Sequence, residues 1–356
     1  MDSLESFLSE EIIPSTSQVK ISFTRTPGII DPRIRELSYS SLLTLHSCPR
    51  KFELYKLRTT NKIPETEKQN ITFAYGHVVG QAIQDCLSGM SEQSIVLRMF
   101  IGWHADLMAE DTKPDKSFWT AVIAIKKFIA MRESGFLADY ELVTYKGKPA
   151  CELSFAVSLP DGFRLRGFVD AVLRNRITGE VIVLELKTTG LKVINPSTYK
   201  NSAQAIGYSV VLDVLFPELS SYRVLYVIYQ THKQEYTPLE FKKTYLQRAQ
   251  WIKELLLDVE MIKLYEQHGV YPMHGESCFA FFSDCTYINS CQMSTSILAN
   301  GYVAEEEQQV EFQINLTLLD LLEAQERKVG LIEPSELEGS VEPVVIGNDV
   351  IVEESF

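Results

Sequence analysis

Alternation of apolar and polar positions is clearest in LRGFVDAVLRNRITGEVIVLELKTT, residues 165–189, which reads as a β-hairpin. An alternating run to Leu173 meets a turn at Arg176-Ile177-Thr178-Gly179. The β-branched run Val181-Ile182-Val183-Leu184 then leads into Glu185-Leu186-Lys187. Residues 151–157 alternate as well, and Pro160-Asp161-Gly162 turns that strand back into the hairpin, giving three antiparallel strands. Residues 222–229 are almost continuously apolar, the pattern of a buried strand. Helical spacing predicts helices starting at Ser40 or Ser41, over 73–87, across much of 92–140, from Ser197 or Thr198 to Phe216, and over 241–267. The elements sum to an α/β class: a helix, three antiparallel strands, a helix and a strand, with added helices. The expected organisation is an irregular segment 1–36 and one domain 37–300, with a helical insertion at about 92–140 and a cysteine cluster at 278–291. An acidic tail, 301–356, follows; it is expected to be flexible apart from one short helix at 316–328.

Composition changes this picture only where it is uneven. The chain has 356 residues, 45% of them hydrophobic, enough for a sizeable core. The net charge of −13 argues at face value against a nucleic-acid partner. Residues 303–356, however, hold 14 acids and 2 bases, and residues 1–19 hold 4 acids and no base, leaving the body at +3. Nothing is apolar enough to cross a membrane, and MDSLESFLSEE has neither the basic nor the apolar part of a leader. The expectation is a cytoplasmic protein with no membrane partner. Six cysteines without a secretory signal favour thiols or metal ligands over disulfides.

Candidate chemistry gathers on the hairpin. Asp170 lies on its first strand, and Glu185 and Lys187, two apart on the second, share a face. Close carboxylates repel unless a cation lies between them, and hard oxygen ligands suit Mg²⁺ or Mn²⁺. The competing reading is an edge hairpin with solvated charges. Gln204 and Tyr208 share a helix face, and Glu152 on the neighbouring strand is a further candidate carboxylate. His77 is a ligand candidate or a structural histidine on a helix that Gly76 and Gly80 leave bare on one side. Arg50 and Lys51, in a basic segment bearing aromatic residues, would suit a phosphate backbone. Cys278, Cys285 and Cys291 stand close together among aromatics, as at a metal or cluster site, with Cys48 or His274 as the fourth ligand. His274 would make a Cys₃His zinc site, but the absence of a CxxC step puts zinc behind an iron-sulfur cluster.

The order GFVD, LELK, then Gln204-Ala205-Ile206-Gly207-Tyr208 resembles the PD-(D/E)XK nuclease superfamily, and within it the RecB/AddB-type exonuclease branch, including versions carried by bacteriophages. Cys48-Pro49-Arg50-Lys51-Phe52 and the later cysteines resemble its iron-sulfur members, in which one upstream and three downstream cysteines hold a [4Fe-4S] cluster. The resemblance runs roughly from Leu37 to Cys291. Two departures stand out: six residues separate Cys278 from Cys285 where those members have CxxC, and the branch's metal-binding histidine would fall at Gly80 rather than His77. The resemblance implies a metal-dependent DNA nuclease, an exonuclease of recombination, repair or phage DNA processing. Asp170, Glu185 and the Leu186 carbonyl would hold Mg²⁺ or Mn²⁺, with Glu152 and His77 as further ligands. Lys187 would orient the attacking water or stabilise developing charge, and Gln204 and Tyr208 would position Lys187 or the phosphate. The implied partners are single-stranded DNA or duplex ends and a helicase or single-strand annealing protein, in a bacterial cell or phage-infected host. The alternative is a catalytically inactive DNA-binding accessory of a recombination or replication complex.

Overall fold

A computed structural model describes residues 30–57, 71–103, 114–219, 222–280, 283–289, 291 and 311–329. Most of the expected N-terminal segment, part of the helical insertion and most of the acidic tail lie outside the described residues.

Strands β1 (Cys151–Ser158), β2 (Arg164–Asn175) and β3 (Val181–Thr189) are antiparallel, as the alternation predicts. β4 (Tyr222–Gln230) runs parallel to β3, and β5 (Glu235–Lys243) closes that edge antiparallel to β4. At the other edge β6 (Ile314–Thr317) lies parallel to β1, so the order is β6-β1-β2-β3-β4-β5. Glu36–Leu37 and Tyr140–Leu142 pair with opposite ends of β2.

Two cores cover the sheet. One face carries α1 (Tyr39–Ser47), α2 (Pro49–Leu57), α6 (Ala203–Leu215) and α7 (Tyr245–His268). The other carries α3 (Ile71–Leu87), α4 (Glu92–Gly102) and α5 (Phe118–Glu133). Strand alternation sorts residues between them: Val181 and Val183 enter the first core, Ile182 and Leu184 the second.

Four expectations are corrected. The reading of 241–267 as helix overlooks β5, whose Pro238 and charged residues suit an edge strand; α7 starts only at Tyr245, after a capping box of Thr244 and Gln247. The helix expected from Ser197 is a single turn, Ser197–Lys200, broken before α6. In the insertion, Ile95, Met99 and Phe128 are buried, but Trp119 is exposed rather than core. Within the tail, β6 and α8 (Leu318–Val329) are built into the domain rather than hanging free. Buried charge anchors α8: Asp213 on α6 accepts from Arg248 Nε (2.7 Å) and Gln325 Nε2 (2.6 Å), while Lys328 donates to the Phe216 carbonyl (2.8 Å).

Candidate active site

β2 and β3 pair regularly from Arg174–Val181 to Ala171–Leu184, and there the ladder stops. At the next level the Leu186 N–H donates to Asp170 Oδ2 at 2.8 Å. A carboxylate thus takes a donor that a continuing ladder would give to backbone. On the other side of β2 the pairing runs through Cys151–Ala171 and Leu153–Val169 but skips Glu152 and Asp170. Glu152 has φ +48°, the left-handed region that a non-glycine residue enters only when its surroundings hold it there. The alternation breaks at this level too: Leu153 and Val169 enter one core, while Cys151 and Ala171 pack into the other. The backbone irregularity centres on two acidic residues.

Glu185 is 1% exposed. Its Oε1 lies 2.6 Å from Lys187 Nζ, and its buried Oε2 has no hydrogen-bond donor among the described residues. Lys187 also donates to Gln204 Oε1 (3.4 Å), and Gln204 Nε2 donates to Tyr208 Oη (2.6 Å), linking sheet to α6. Burial, and then the neighbouring Glu185, push the Asp170 carboxyl well above the usual range. Burial raises Glu185 as well, against the pull of Lys187, and Glu152 raises both. For Lys187, burial works against the charge, but the attraction of Glu185 and Asp170 outweighs it and its pKa is raised. Carboxylates crowded this way call for positive charge beyond one ammonium.

The donor set suits a hard cation. It offers two carboxylates, one with an orphaned buried oxygen, beside the Leu186 backbone, whose N–H is bonded to Asp170. Among the described residues no three His, Cys, Asp or Glu side chains form a ready-made metal group.

Tyr208 is walled in by Tyr39 and Phe155, both edge-on, with ring centroids 5.3 Å and 6.2 Å away. Gly207 is required here: a Cβ would fall on the Tyr39 hydroxyl and the Trp251 ring. Beside Asp170, Gln204 and Tyr208 opens a groove of about 850 Å³, which His46, Arg166, Phe168, Trp251 and Asp258 also line.

A family model described as the PD-(D/E)XK nuclease superfamily matches residues 36–292. The chain belongs to the PD-(D/E)XK nuclease superfamily. Members of this superfamily are in general metal-dependent nucleases. β6 and α8 lie beyond the matched residues. No curated protein matches significantly. A solved structure described as "Crystal structure of SSO0001" is 14% identical over 63% of this chain and 88% of its own, with a TM-score of 0.23, and the assignment does not rest on it.

Of the predicted site residues in this PD-(D/E)XK chain, Asp170, Glu185, Lys187, Gln204 and Tyr208 come together, and Glu152 joins them through its effect on both carboxyls. His77 does not. It is exposed on α3 and lines a separate cavity with Gln81, Asp85 and Arg98. On the side that Gly76 and Gly80 leave bare, a Cβ at Gly76 would lie 3.3 Å from the Thr188 Oγ1 side chain on β3, and Gly80 faces open space. Arg50 is not a free surface cation: it pairs with Glu53 and donates to the Cys291 carbonyl (3.1 Å). Lys51 lines the cysteine cavity instead of the groove.

That cavity, about 220 Å³, is lined by Cys48, Cys278, Cys285, Cys291 and His274. Backbone and side-chain bonds tie its two sides together: Arg50 N–H to the Pro272 carbonyl (3.0 Å) and Ser277 Oγ to the Ser47 carbonyl (2.6 Å). His274 Nδ1 lies 3.0 Å from that same Ser47 oxygen. Four thiols around one cavity are donors of the right softness for iron or zinc.

Sequence reasoning missed Gln84. It is 3% exposed on α3, and its Nε2 donates to Glu152 Oε1 (2.9 Å) and to the Asp170 carbonyl (3.2 Å). Its face neighbours on the helix, Gly80, Gln81, Leu87 and Ser88, are mixed in character, so the sequence carried no signal that would have singled it out.

Proposed function

We propose that the protein is a metal-dependent deoxyribonuclease of the RecB/AddB type, an exonuclease acting on DNA ends or single strands in recombination, repair or phage DNA processing. The observation that carries this reading is the Asp170–Glu185–Lys187 cluster, with a buried Glu185 oxygen that has no donor among the described residues and Lys187 held 2.6 Å from the other. A phosphodiester repels nucleophiles by its charge, and Mg²⁺ or Mn²⁺, when bound, supplies neutralisation of that charge and a more acidic water. Asp170, Glu185 and the Leu186 carbonyl would hold the cation, with Glu152 adjacent. Lys187 presents its ammonium at the reaction centre, where it orients the attacking water or stabilises charge developing on the phosphate. Gln204, braced by Tyr208, fixes the direction of that ammonium. Single-stranded DNA or duplex ends are the partner, and a helicase or annealing protein would deliver them from another chain.

The cavity of Cys48, Cys278, Cys285 and Cys291 is read as the seat of a [4Fe-4S] cluster, with zinc as the competing occupant. Iron and acid-labile sulfide in anaerobically purified protein, both lost in Cys285→Ser, support it; zinc alone overturns it.

Digestion of end-labelled single- and double-stranded DNA with Mg²⁺ or Mn²⁺ tests the activity. Degradation by the parent and none by a folded Lys187→Ala is expected. DNA binding without turnover under either cation would favour the inactive accessory instead.

A further inference from the structure

The chain leaves the candidate site at Lys187 and returns to it at Gln204, and the segment between them borders the site on the β4 side. Two buried polar side chains hold this rim. Gln230, at the end of β4 and 3% exposed, donates through Nε2 to the Leu191 carbonyl (3.0 Å) and the Lys192 carbonyl (3.1 Å). Lys243, at the end of β5, donates to the Tyr199 and Lys200 carbonyls. Between these anchors Ile194 packs against the core, and the Leu191 N–H donates to Thr189 Oγ1 (3.1 Å). A backbone held this firmly cannot turn its apolar side chains inward. Leu191 and Val193, on either side of Lys192, are left 64% and 79% exposed.

Charge singles out the same stretch. From Leu186 to Leu212 there is no Asp or Glu, while Lys187, Lys192 and Lys200 are present, in a chain of net charge −13. Lys192 and Lys200 are exposed, and their side chains make no hydrogen bond or ion pair among the described residues. Free ammonium groups attract a phosphate backbone. An aliphatic side chain has no complement on that backbone; its complement on a nucleic acid is the face of a base, and in a duplex an open base face is found at the end.

We infer that the rim of residues 190–200 is a wedge for the terminal base pair of duplex DNA, with Leu191 and Val193 entering the last base step and Lys192 meeting the adjoining phosphate. The inference rests on the nuclease reading, which puts the scissile phosphate at Lys187, where this segment begins. Parting the last pair loses stacking and pairing, and contacts of the wedge offset that loss. The rim therefore governs the use of flush duplex ends and matters little for a strand that is already unpaired.

Fluorescence of 2-aminopurine tests it. The base is placed in the terminal pair of a flush duplex, protein is added in EDTA so that no turnover occurs, and the anisotropy of a label at the other end reports binding. A duplex carrying the base internally is the control. The parent should raise the fluorescence of the terminal base and not that of the internal one. Leu191→Ser/Val193→Ser, at two exposed positions, should bind the duplex yet lose most of the rise. Under Mg²⁺ or Mn²⁺ it should cut flush ends about ten-fold more slowly than the parent and cut a single strand at the parent's rate. Lys192→Ala should lower the salt slope of duplex binding by about one. The inference is overturned if the parent fails to bind the flush duplex, if it binds without a rise, or if the double variant gives the parent's rise. A rise that depends on Leu191 and Val193, without cleavage under Mg²⁺ or Mn²⁺, would uphold the wedge and sink the nuclease reading, which separates the two failures.

Discussion

Asp170 accepts the Leu186 N–H through its side chain at 2.8 Å, at the level where β2 and β3 cease to pair. This bond caps the end of the paired region and holds the Asp170 carboxyl within electrostatic reach of Glu185. It also sets the site against the stability of the fold, because Asp170, Glu185 and Glu152 crowd like charges in a place partly closed to water.

Replacing Asp170 should therefore separate stability from activity. Asp170→Asn keeps an oxygen for Leu186 and, at pH 9, above the value of about 8 to which burial and Glu185 push the parent carboxyl, removes a charge. In EDTA it is expected to be more stable than the parent by about 0.5–2 kcal/mol in denaturant melts, while its DNA hydrolysis is lost. A variant less stable than the parent would contradict the repulsion described here.

Gln84 donates to Glu152 and to the Asp170 carbonyl, which on the nuclease reading makes it a positioning residue. Outer partners of metal-binding carboxylates cost about 10–100-fold in metal affinity or activity when removed. Gln84→Ala should raise the Mg²⁺ concentration for half-maximal hydrolysis within that range, and excess Mg²⁺ should recover most of the rate. A variant whose rate falls without any change in Mg²⁺ dependence would count against this role.

Packing around Gly207 predicts a double-mutant result. Gly207→Ala drives a methyl into Tyr39 and Trp251 and should cost about 1–3 kcal/mol. Tyr39→Phe removes the hydroxyl nearest that methyl, so the double variant should be more stable than the two single losses added together. Strict additivity in urea melts would show that the two residues do not meet.

Lys243 supplies a pH dependence away from the site. It is fully buried, donates to the Tyr199 and Lys200 carbonyls, and burial pulls its pKa down to about 8 from the ordinary 10.5. Below pH 8 the lysine is protonated in both states, and the buried ammonium costs stability. Between 8 and 10.5 the unfolded chain keeps a proton that the folded one has released, so stability rises with pH, and above 10.5 the effect levels off. The slope is at most about 1.4 kcal/mol per pH unit. Subtracting the melts of Lys243→Met from those of the parent isolates it from tyrosines, and a flat difference across the window would refute it.

Local pattern determined a large part of this protein. Alternation in 151–157 and 165–189 and the continuous apolar run at 222–229 give four strands that the structure contains, because a period of two is imposed by the pleat and needs no long-range partner to be seen. The same spacing put Glu185 and Lys187 on one face and Gln204 and Tyr208 on another, and these four do form a connected chain.

Tertiary structure alone decided the rest. β5 carries Pro238 and charges that give no clear strand period, and it is a strand because an edge needs only one partner. β6 is four residues long, too short for any period, and exists through its parallel pairing with β1 and the Asp213, Arg248 and Lys328 charges that hold the helix after it. Gln84 and Glu152 come to the carboxylates, while His77 and Arg50 turn away from them, although nothing in their immediate neighbours distinguishes the four. Which way a polar side chain on an element points is set by what packs across from it, and those partners lie tens to hundreds of residues away in the chain.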